Sequence, residues 1–304
     1  MNILVTGGAG YIGTGVARQL HQEGHDVRIM DNLTYGGRQL LPLLNTAAFI
    51  LGDVRNRGDC ARAVDGMDCV VHLAAIVGEN ACKEDPTRTW ETNVLGTQNM
   101  YIAAKNAGVG KFIFSSTCSN YGQAGLATEN TELKPLGEYA LQKVEAEDWL
   151  EFQGDVMVLR FSTAYGFSAR MRLDLMIQEF VLDALTTGKL ELYNPGAKRP
   201  FVHTHDISLF IGRAVWTPPE QGVYNIGGTN ITKQELANEI AALTPVKITT
   251  REVGDQRDYS VCFKKAHEYF KFKPLRMPTG FIQEMISLWR KGIFNETVYV
   301  NSTH

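Results

Sequence analysis

The chain begins Asn2-Ile-Leu-Val-Thr-Gly7-Gly-Ala-Gly10-Tyr-Ile-Gly13, and its next apolar run, His25-Asp-Val-Arg-Ile-Met-Asp31, ends on a carboxylate. A β-branched strand that runs into a glycine loop and then a helix is the entry to a dinucleotide-binding α/β unit. Gly7 suits the tight turn. Gly10 lets backbone N–H groups approach a pyrophosphate, and Gly13 lets the helix pack close to the sheet. A diphosphate there meets the positive end of the helix. A carboxylate about 20 residues beyond the loop is where a ribose 2′-hydroxyl is held. Asp31 fits that place and would repel a 2′-phosphate, so NAD is expected over NADP. The spacing is Gly-x-x-Gly-x-x-Gly, not the commoner Gly-x-Gly-x-x-Gly. A tight strand–helix turn needs glycine in any case, so the weight falls on the strand before, the helix after and Asp31.

Working outward, short apolar runs at 2–7, 26–31, 48–52, 69–74, 111–116 and 156–162 alternate with helical stretches near 11–23, 56–65, 87–107 and 138–152. Strands that are apolar throughout are expected where helices cover both faces of a parallel sheet. The expectation is α/β: a doubly wound Rossmann-type parallel sheet with a smaller C-terminal α/β substrate domain. After residue 164 the pattern loosens. Helices near 173–187, 206–216, 232–243 and 278–291 and strands at 190–193 and 223–226 are expected among frequent prolines. Residues 1–164 are assigned to the NAD-binding domain, with 197–222 returning to it, and 165–304 mainly to the substrate domain.

Composition narrows the class. The chain has 304 residues, 44% hydrophobic and 21% charged, with net charge −3, so material for a core is ample. Lys and Arg are scattered, and no nucleic-acid partner is expected. No apolar stretch approaches the roughly 20 residues of a membrane span. The first strand starts at once, with no basic leader, and a cytoplasmic location is expected. Cys60, Cys69, Cys82, Cys118 and Cys262 show no Cys-x-x-Cys spacing; a disulfide framework or metal site is not expected. The sequons at Asn230, Asn295 and Asn301 carry little meaning in that setting.

Chemistry enters with Phe112-Ile-Phe-Ser115-Ser116-Thr117-Cys118-Ser119-Asn120-Tyr121-Gly122, which runs off the end of the fifth strand toward the ligand crevice. Hydroxyl residues are also ordinary at a strand-end turn. Tyr139-Ala-Leu-Gln-Lys143 sets Tyr and Lys one helical turn apart on one face. A free tyrosine, with pKa near 10, is a poor base, and an adjacent ammonium would stabilise its phenolate. Thr117 could hold the oxygen of a reacting alcohol while Tyr139 takes its proton. Taken alone, Tyr-x-x-x-Lys serves surface packing equally well; its place between the hydroxyl run and the sixth strand is what favours chemistry.

Thr6-Gly-Gly-Ala-Gly-Tyr-Ile-Gly13, Gly52-Asp53, His72-Leu-Ala-Ala75, Asn93, Ser115-Ser-Thr117, Tyr139-x-x-x-Lys143 and Leu159-Arg-Phe occur in that order. Together they resemble the extended short-chain dehydrogenase/reductases, the NAD-dependent epimerase/dehydratase family, over nearly the whole chain. The resemblance implies a catalytic triad of Thr117, Tyr139 and Lys143. It implies that Gly7, Gly10, Ile12 and Asp31 hold the diphosphate and adenine ribose, that Asp53 and Val54 border the adenine, and that Leu73, Ala74 and Ala75 line the groove. Tyr11, Gly13, Asn32, Asn93, Ser115, Tyr139 and Lys143 complete the cofactor set. A homodimer through the helices near 87–107 and 138–152 is implied too.

In the second half, Arg199-Pro-Phe-Val-His203-Thr-His-Asp206 and Gly254-Asp-Gln-Arg257-Asp-Tyr259 resemble segments of the same family. They make Arg199 and Arg257 candidates for a nucleotide diphosphate, to which the guanidinium fork is suited, with a solvated surface arginine as the alternative for each. His203 is expected to be structural, bonding Asp206 or a backbone carbonyl. Ser168-Ala-Arg170-Met-Arg172-Leu-Asp174-Leu resembles a branch of nucleotide-sugar 4-epimerases and 4-dehydrogenases, including enzymes of GDP-linked heptose. Its arginines could meet phosphates or an acidic partner, or cap the next helix through Asp174. Thr117, Cys118, Ser119, Arg172, Arg199 and Arg257 form the expected substrate set.

Family 4,6-dehydratases carry Asp-Glu after the triad Thr, where this chain has Cys118-Ser119; no acid lies between Thr117 and Tyr121. The 3,5-epimerases keep a Cys two positions past the triad hydroxyl, where this chain has Ser119. A one-residue slip would leave Cys118 as an acid or base. The reading is therefore an NAD-dependent oxidoreductase on a nucleotide-linked sugar, oxidising C4. A 4-epimerase is expected first, a 4-dehydrogenase that releases the keto sugar second. A dehydratase and a non-catalytic NAD-binding module come behind.

Overall fold

Chain direction and side-chain alternation build one central sheet. In the computed structural model, which describes residues 1–218, 222–251 and 257–293, the first strands are β1 (Asn2–Thr6), β2 (Asp26–Asp31), β3 (Ala47–Leu51), β4 (Cys69–His72) and β5 (Lys111–Thr117). β6 (Gln123–Ala127) leaves this sheet, β7 (Val156–Phe161) rejoins it, and β8 (Thr163–Tyr165), β9 (Lys189–Tyr193) and β10 (Lys198–His203) leave again. β11 (Gly222–Ile226) returns as an edge strand. The sheet runs β11-β7-β5-β4-β1-β2-β3, and every pair is parallel. The order reverses between β1 and β4, which opens a crevice at the strands' carboxyl ends.

The helices α1 (Gly13–Gln22), α2 (Arg57–Val64), α3 (Glu79–Glu84), α4 (Pro86–Trp90), α5 (Gly96–Asn106) and α6 (Glu138–Gln153) fill the crossovers of the first half. α7 (Met176–Thr187) and α8 (Thr204–Trp216) follow. The period of two divides the sheet's apolar residues between two layers. Ile3, Val5, Val71 and Ile113 pack with Val16 and Leu20 of α1 and Ile207, Phe210 and Ile211 of α8. Leu4, Val70, Phe112 and Phe114 pack on the other face with Met100 and Tyr101 of α5 and Ala146 and Leu150 of α6.

The remaining elements are β12 (Thr229–Thr232), α9 (Lys233–Ala241), β13 (Lys247–Arg251), β14 (Asp258–Val261), α10 (Lys264–Tyr269) and α11 (Pro278–Arg290). They complete the small sheets β12-β10-β8 and β13-β9 about a third core that includes Tyr165, Val181, Leu192, Phe201, Leu236 and Ile282, and β14-β6 beside a separate cluster with Cys118 and Tyr121. Of the segment 197–222 expected to return to the first domain, α8 packs on the face of the main sheet, and β11, which starts at its end, joins the sheet's edge. β10 instead pairs with β8 and β12.

The single helix expected over 87–107 is in fact three pieces: α4, a π-helical turn at Glu91–Leu95, and α5. At the bulge the Asn93 side chain turns inward and clamps Ile76, accepting from its N–H at 2.8 Å and donating to its carbonyl at 3.0 Å. Just beyond it, a side chain on Gly96 would meet Val54 at 2.5 Å. Insertions of this kind in helices recur at functional sites.

Candidate active site

The crevice is a cleft of about 380 Å³ lined by the glycine loop, the ends of β2, β4, β5 and β7, and the loop after β8. Gly7 takes a positive φ of 67°, and any side chain there would strike the Ala74 backbone at 2.8 Å. A methyl on Gly13 would lie 2.2 Å from the Gly7 carbonyl oxygen. The loop can therefore follow this path only as glycine, and the N-terminus of α1, uncapped by any side chain, opens into the cleft. Asp31 accepts from the N–H groups of Ala9 at 3.0 Å and Leu33 at 2.8 Å, which ties the end of β2 to the loop. Burial raises its carboxyl above the usual range, while those two bonds and the charge of Arg170 oppose the rise. This cradle fits a dinucleotide diphosphate with a ribose beside Asp31.

Beneath the loop, a buried hydrogen-bond chain locks β1 to β4. Thr97 donates to the Asn93 carbonyl at 2.8 Å, so His72 Nε2 must donate to the Thr97 hydroxyl at 3.1 Å. His72 Nδ1 then accepts from Thr6 at 2.8 Å, and the Thr6 oxygen accepts from the Ala74 N–H at 3.2 Å. Burial, helped by the charge of Lys143, lowers His72 to about 3, consistent with this neutral form.

Thr117 and Tyr139 both face the cleft, from the end of β5 and the first turn of α6. Lys143, one turn further along α6, is buried behind the wall with Nζ 4.3 Å from the centroid of the Phe114 ring. Burial lowers Lys143 to about 7, partly offset by Glu147 a further turn on. Tyr139 is pushed well above its ordinary value by burial, with Cys82 and Glu79 adding and Arg172 opposing. The helix is held from behind: Arg160 of β7 forks onto Glu147 at 2.6 and 3.0 Å, and Asn120 donates to the same carboxylate at 2.8 Å. Arg160 also donates to the Tyr121 hydroxyl at 3.0 Å.

The loop after β8 closes the far wall onto the glycine loop. Tyr11 donates its hydroxyl proton to the Gly166 carbonyl at 2.7 Å and accepts from Gln178 at 2.8 Å, while Ser168 donates to the Tyr11 carbonyl at 2.7 Å. Arg170 lies in the cleft wall, its guanidinium 4.4 Å from the centre of the Tyr35 ring. Arg172 also lines the cleft, with its fork on Asp174 at 3.1 and 2.5 Å, so the loop pairs this arginine with its own acid.

Of the residues singled out from sequence, Gly7, Gly10, Tyr11, Ile12, Gly13, Asp31, Asn32, Val54, Leu73, Ala74, Ala75, Ser115, Thr117, Ser119, Tyr139, Arg172 and Arg257 share the cleft wall. Others lie behind it. Cys118 is fully buried and turned away, its thiol donating to the Arg160 carbonyl at 3.2 Å, and burial pushes it up to about 12. The chain leaves β5 at Thr117 and winds into a 3-10 turn, Cys118–Tyr121, which keeps Thr117 and Ser119 on the cleft and turns Cys118 and Tyr121 into a core with Tyr259 and Val261. Arg199 is buried too, donating to the backbone carbonyls of Lys198 and Arg257. Asp53 sits beside the groove with Arg55 at 2.8 Å and Asn32 at 3.1 Å; burial would raise its carboxyl, but these bonds bring it down to about 2. His203 caps α8 by accepting from the His205 N–H at 3.1 Å, in place of the expected bond to Asp206. Residues 254–256 and the sequons at Asn295 and Asn301 lie outside the described residues.

Thr34, Tyr35, Glu79 and Thr92 also line the cleft without having been expected there, and Arg170, considered for phosphates with Arg172, lines it too. Tyr35 sits in a loop and Glu79 opens the six-residue helix α3, too short to carry a periodic signal. The one trace of Glu79 was its position directly after Gly78. Among the described residues no three His, Cys, Asp or Glu side chains cluster as a metal site, and no helix is long and apolar enough to cross a membrane.

Comparison with known proteins agrees with this geometry. Residues 3–227 match the NAD dependent epimerase/dehydratase family. The chain belongs to that family. A UDP-glucose 4-epimerase of Corynebacterium glutamicum is 34% identical over 173 residues, 56% of this chain; the chain spans about half (49%) of that relative's length. A dTDP-glucose 4,6-dehydratase of Streptomyces niveus is 30% identical over 259 residues, covering 79% of this chain and 76% of that protein. Among solved structures, the dTDP-glucose 4,6-dehydratase DesIV of Streptomyces venezuelae, with NAD and TYD bound, superposes with TM-score 0.85 at 29% identity over 96% of this chain and 97% of its own. The UDP-glucose 4-epimerase of Thermotoga maritima with UDP-glucose gives 0.84 at 26% over 97% and 100%. Members of the family that resemble this chain thus include both epimerases and dehydratases.

Proposed function

We propose that this chain is an NAD-dependent oxidoreductase of nucleotide-linked sugars that oxidises a ring hydroxyl at C4 and acts as a 4-epimerase. The carrying observation is Thr117 and Tyr139 on the wall of the cleft that the glycine loop and Asp31 also line, with Lys143 buried one turn beyond Tyr139 on the same helix face. The glycine loop and the N-terminus of α1 would hold the NAD diphosphate, Asp31 the adenine ribose and Lys143 the nicotinamide ribose. Bound NAD supplies the hydride acceptor. Thr117 orients the sugar hydroxyl, and Tyr139 takes its proton through the phenolic oxygen. The charge of Lys143 favours the phenolate, which burial alone disfavours. Arg257, on the cleft wall, is the candidate for the nucleotide diphosphate.

Two features support epimerisation over 4,6-dehydration. Cys118 is turned into the core, and Ser119, the neighbour that does reach the cleft, is too weak an acid or base to expel a hydroxyl. A 4-dehydrogenase shares the first half-reaction and differs only in releasing the ketone. The test is a panel of UDP-, GDP-, CDP- and dTDP-sugars, with products followed by NMR and mass spectrometry and NADH by absorbance. Expected is a C4 epimer without net NADH. A keto sugar with stoichiometric NADH would assign the dehydrogenase instead, and a product lighter by one water would overturn both. Tyr139→Phe should cut turnover by about 10²–10⁴-fold while NAD titration is unchanged.

A homodimer is part of this reading. Ile102 of α5 and Leu141 of α6 are 45% and 47% exposed on neighbouring helices, with Phe152 almost fully exposed further along α6. Sedimentation should give a dimer, and Leu141→Glu a monomer.

A further inference from the structure

Glu79 opens α3 directly after Gly78, whose φ is 116°. Its side chain lies on the cleft wall and against Gly137, two residues before Tyr139. A methyl on Gly137 would lie 2.3 Å from Cδ, Oε1 and Oε2 alike, so the flat face of the carboxylate covers the glycine Cα. The in-plane lone pairs of both oxygens are therefore directed away from Gly137. No protein hydrogen bond reaches either oxygen among the described residues. Arg172, 3.8 Å from where a Gly78 Cβ would stand, has its fork engaged by Asp174. The cleft thus holds an uncompensated acceptor group within electrostatic reach of Tyr139.

We infer that Glu79 is a specificity residue for the sugar: its carboxylate accepts from the hydroxyls of a neutral hexose and rejects a sugar that carries a carboxylate of its own. The inference deepens the proposed function and rests on it. A carboxylate can only accept, and hydroxyls are the donors a hexose offers. A uronate would set like charges together in a partly desolvated cleft, an arrangement that interfaces use to exclude wrong partners.

Calorimetric titration of the NAD-loaded protein with UDP-glucose and with UDP-glucuronic acid tests this, using Glu79→Gln and Glu79→Ala beside the unmodified chain. Expected is a preference of about tenfold or more for UDP-glucose in the unmodified protein. Glu79→Gln keeps the shape and an acceptor but loses the charge. It should weaken UDP-glucose by about threefold and strengthen UDP-glucuronic acid, so that the two affinities converge. Movement in opposite directions is what a merely structural role would not produce. Glu79→Ala should shift the ratio the same way, with UDP-glucose weakened further, and stands in if the Gln variant fails to fold. A ratio unchanged in both variants, with UDP-glucose still bound, would overturn the role of Glu79 and leave the proposed function standing. Failure of the unmodified protein to bind either compound, together with no turnover of any sugar in the four-nucleotide panel, would overturn both.

Discussion

Lys143 shows how one side chain can set function against stability. Its ammonium has an aromatic ring beside it and lies behind the cleft wall, so charging it in the folded state is costly. Folded Lys143 titrates at about 7, and an unfolded lysine near 10.4. Between those values the unfolded chain holds a proton that the folded chain lacks, so stability rises with pH across the window. Below it the full cost is present, and above it the cost is gone. Lys143→Met should therefore stabilise the protein by about 1–3 kcal/mol near pH 6 and much less near pH 10, while abolishing turnover. Denaturant midpoints at the two pH values check this; a gain that did not shrink with pH would assign the effect to packing. At this scale the sequence was most informative where a residue's type and position sufficed, as for Gly7, Gly13, Asp31, Thr117 and Tyr139. Cys118 stays ambiguous in the sequence because the strand gives way to a 3-10 turn at that residue, and no local pattern marks where the change falls. Glu79 was not legible, because its importance lies in contact with Gly137, nearly sixty residues away in sequence.

Among elements, α6 is the one whose placement the chemistry needs. Its cleft-facing end carries Tyr139 and Lys143, and its rear is fixed through Glu147 to Arg160 of β7. Both partners of that pair are about 6% exposed, so removing one leaves a buried charge without its counterion. Glu147→Gln should cost about 3–5 kcal/mol in urea unfolding. The double replacement by Leu and Met should recover most of that loss, because two apolar groups need no partner. Equal destabilisation by single and double variants would mean that the bonds to Asn120 and Tyr121, and not the ion pair, hold the helix. Elements of the first half were legible because buried parallel strands and covering helices give long, distinct apolar patterns. The short α3 and β6 were not expected, and 87–107 has a helical pattern throughout; its π turn goes with the tertiary contacts of Asn93 and Gly96, which no local pattern carries. In the second half β8, β10, β12, β13 and β14 went unrecognised. They are short, they include Pro200, and they pair in sheets of two or three strands, so alternation has little length in which to show.

At the scale of the whole molecule, the main sheet is not contiguous in the chain. It is interrupted after Phe161 and is completed only when β11 pairs with β7 from Gly222 to Ile226. The α8 part of one core layer, Ile207, Phe210, Ile211, Ala214 and Val215, arrives in the same late stretch. A fragment ending at residue 164 would carry the entire glycine loop and yet leave the outer edge of β7 and the apolar face under α8 bare. Such a fragment should aggregate or bind hydrophobic dyes, and should not take up NAD. A soluble, NAD-binding fragment of that length would show that the late elements are dispensable. The same topology has a temporal side. At about 5–20 residues per second, a ribosome needs roughly 3–13 s to pass from β7 to the end of β11. For that interval the nascent chain presents an unpaired strand edge, the kind of surface on which neighbouring chains nucleate aggregates. This makes the protein a natural client for chaperones that act during synthesis, and its yield should depend on translation speed through residues 162–226.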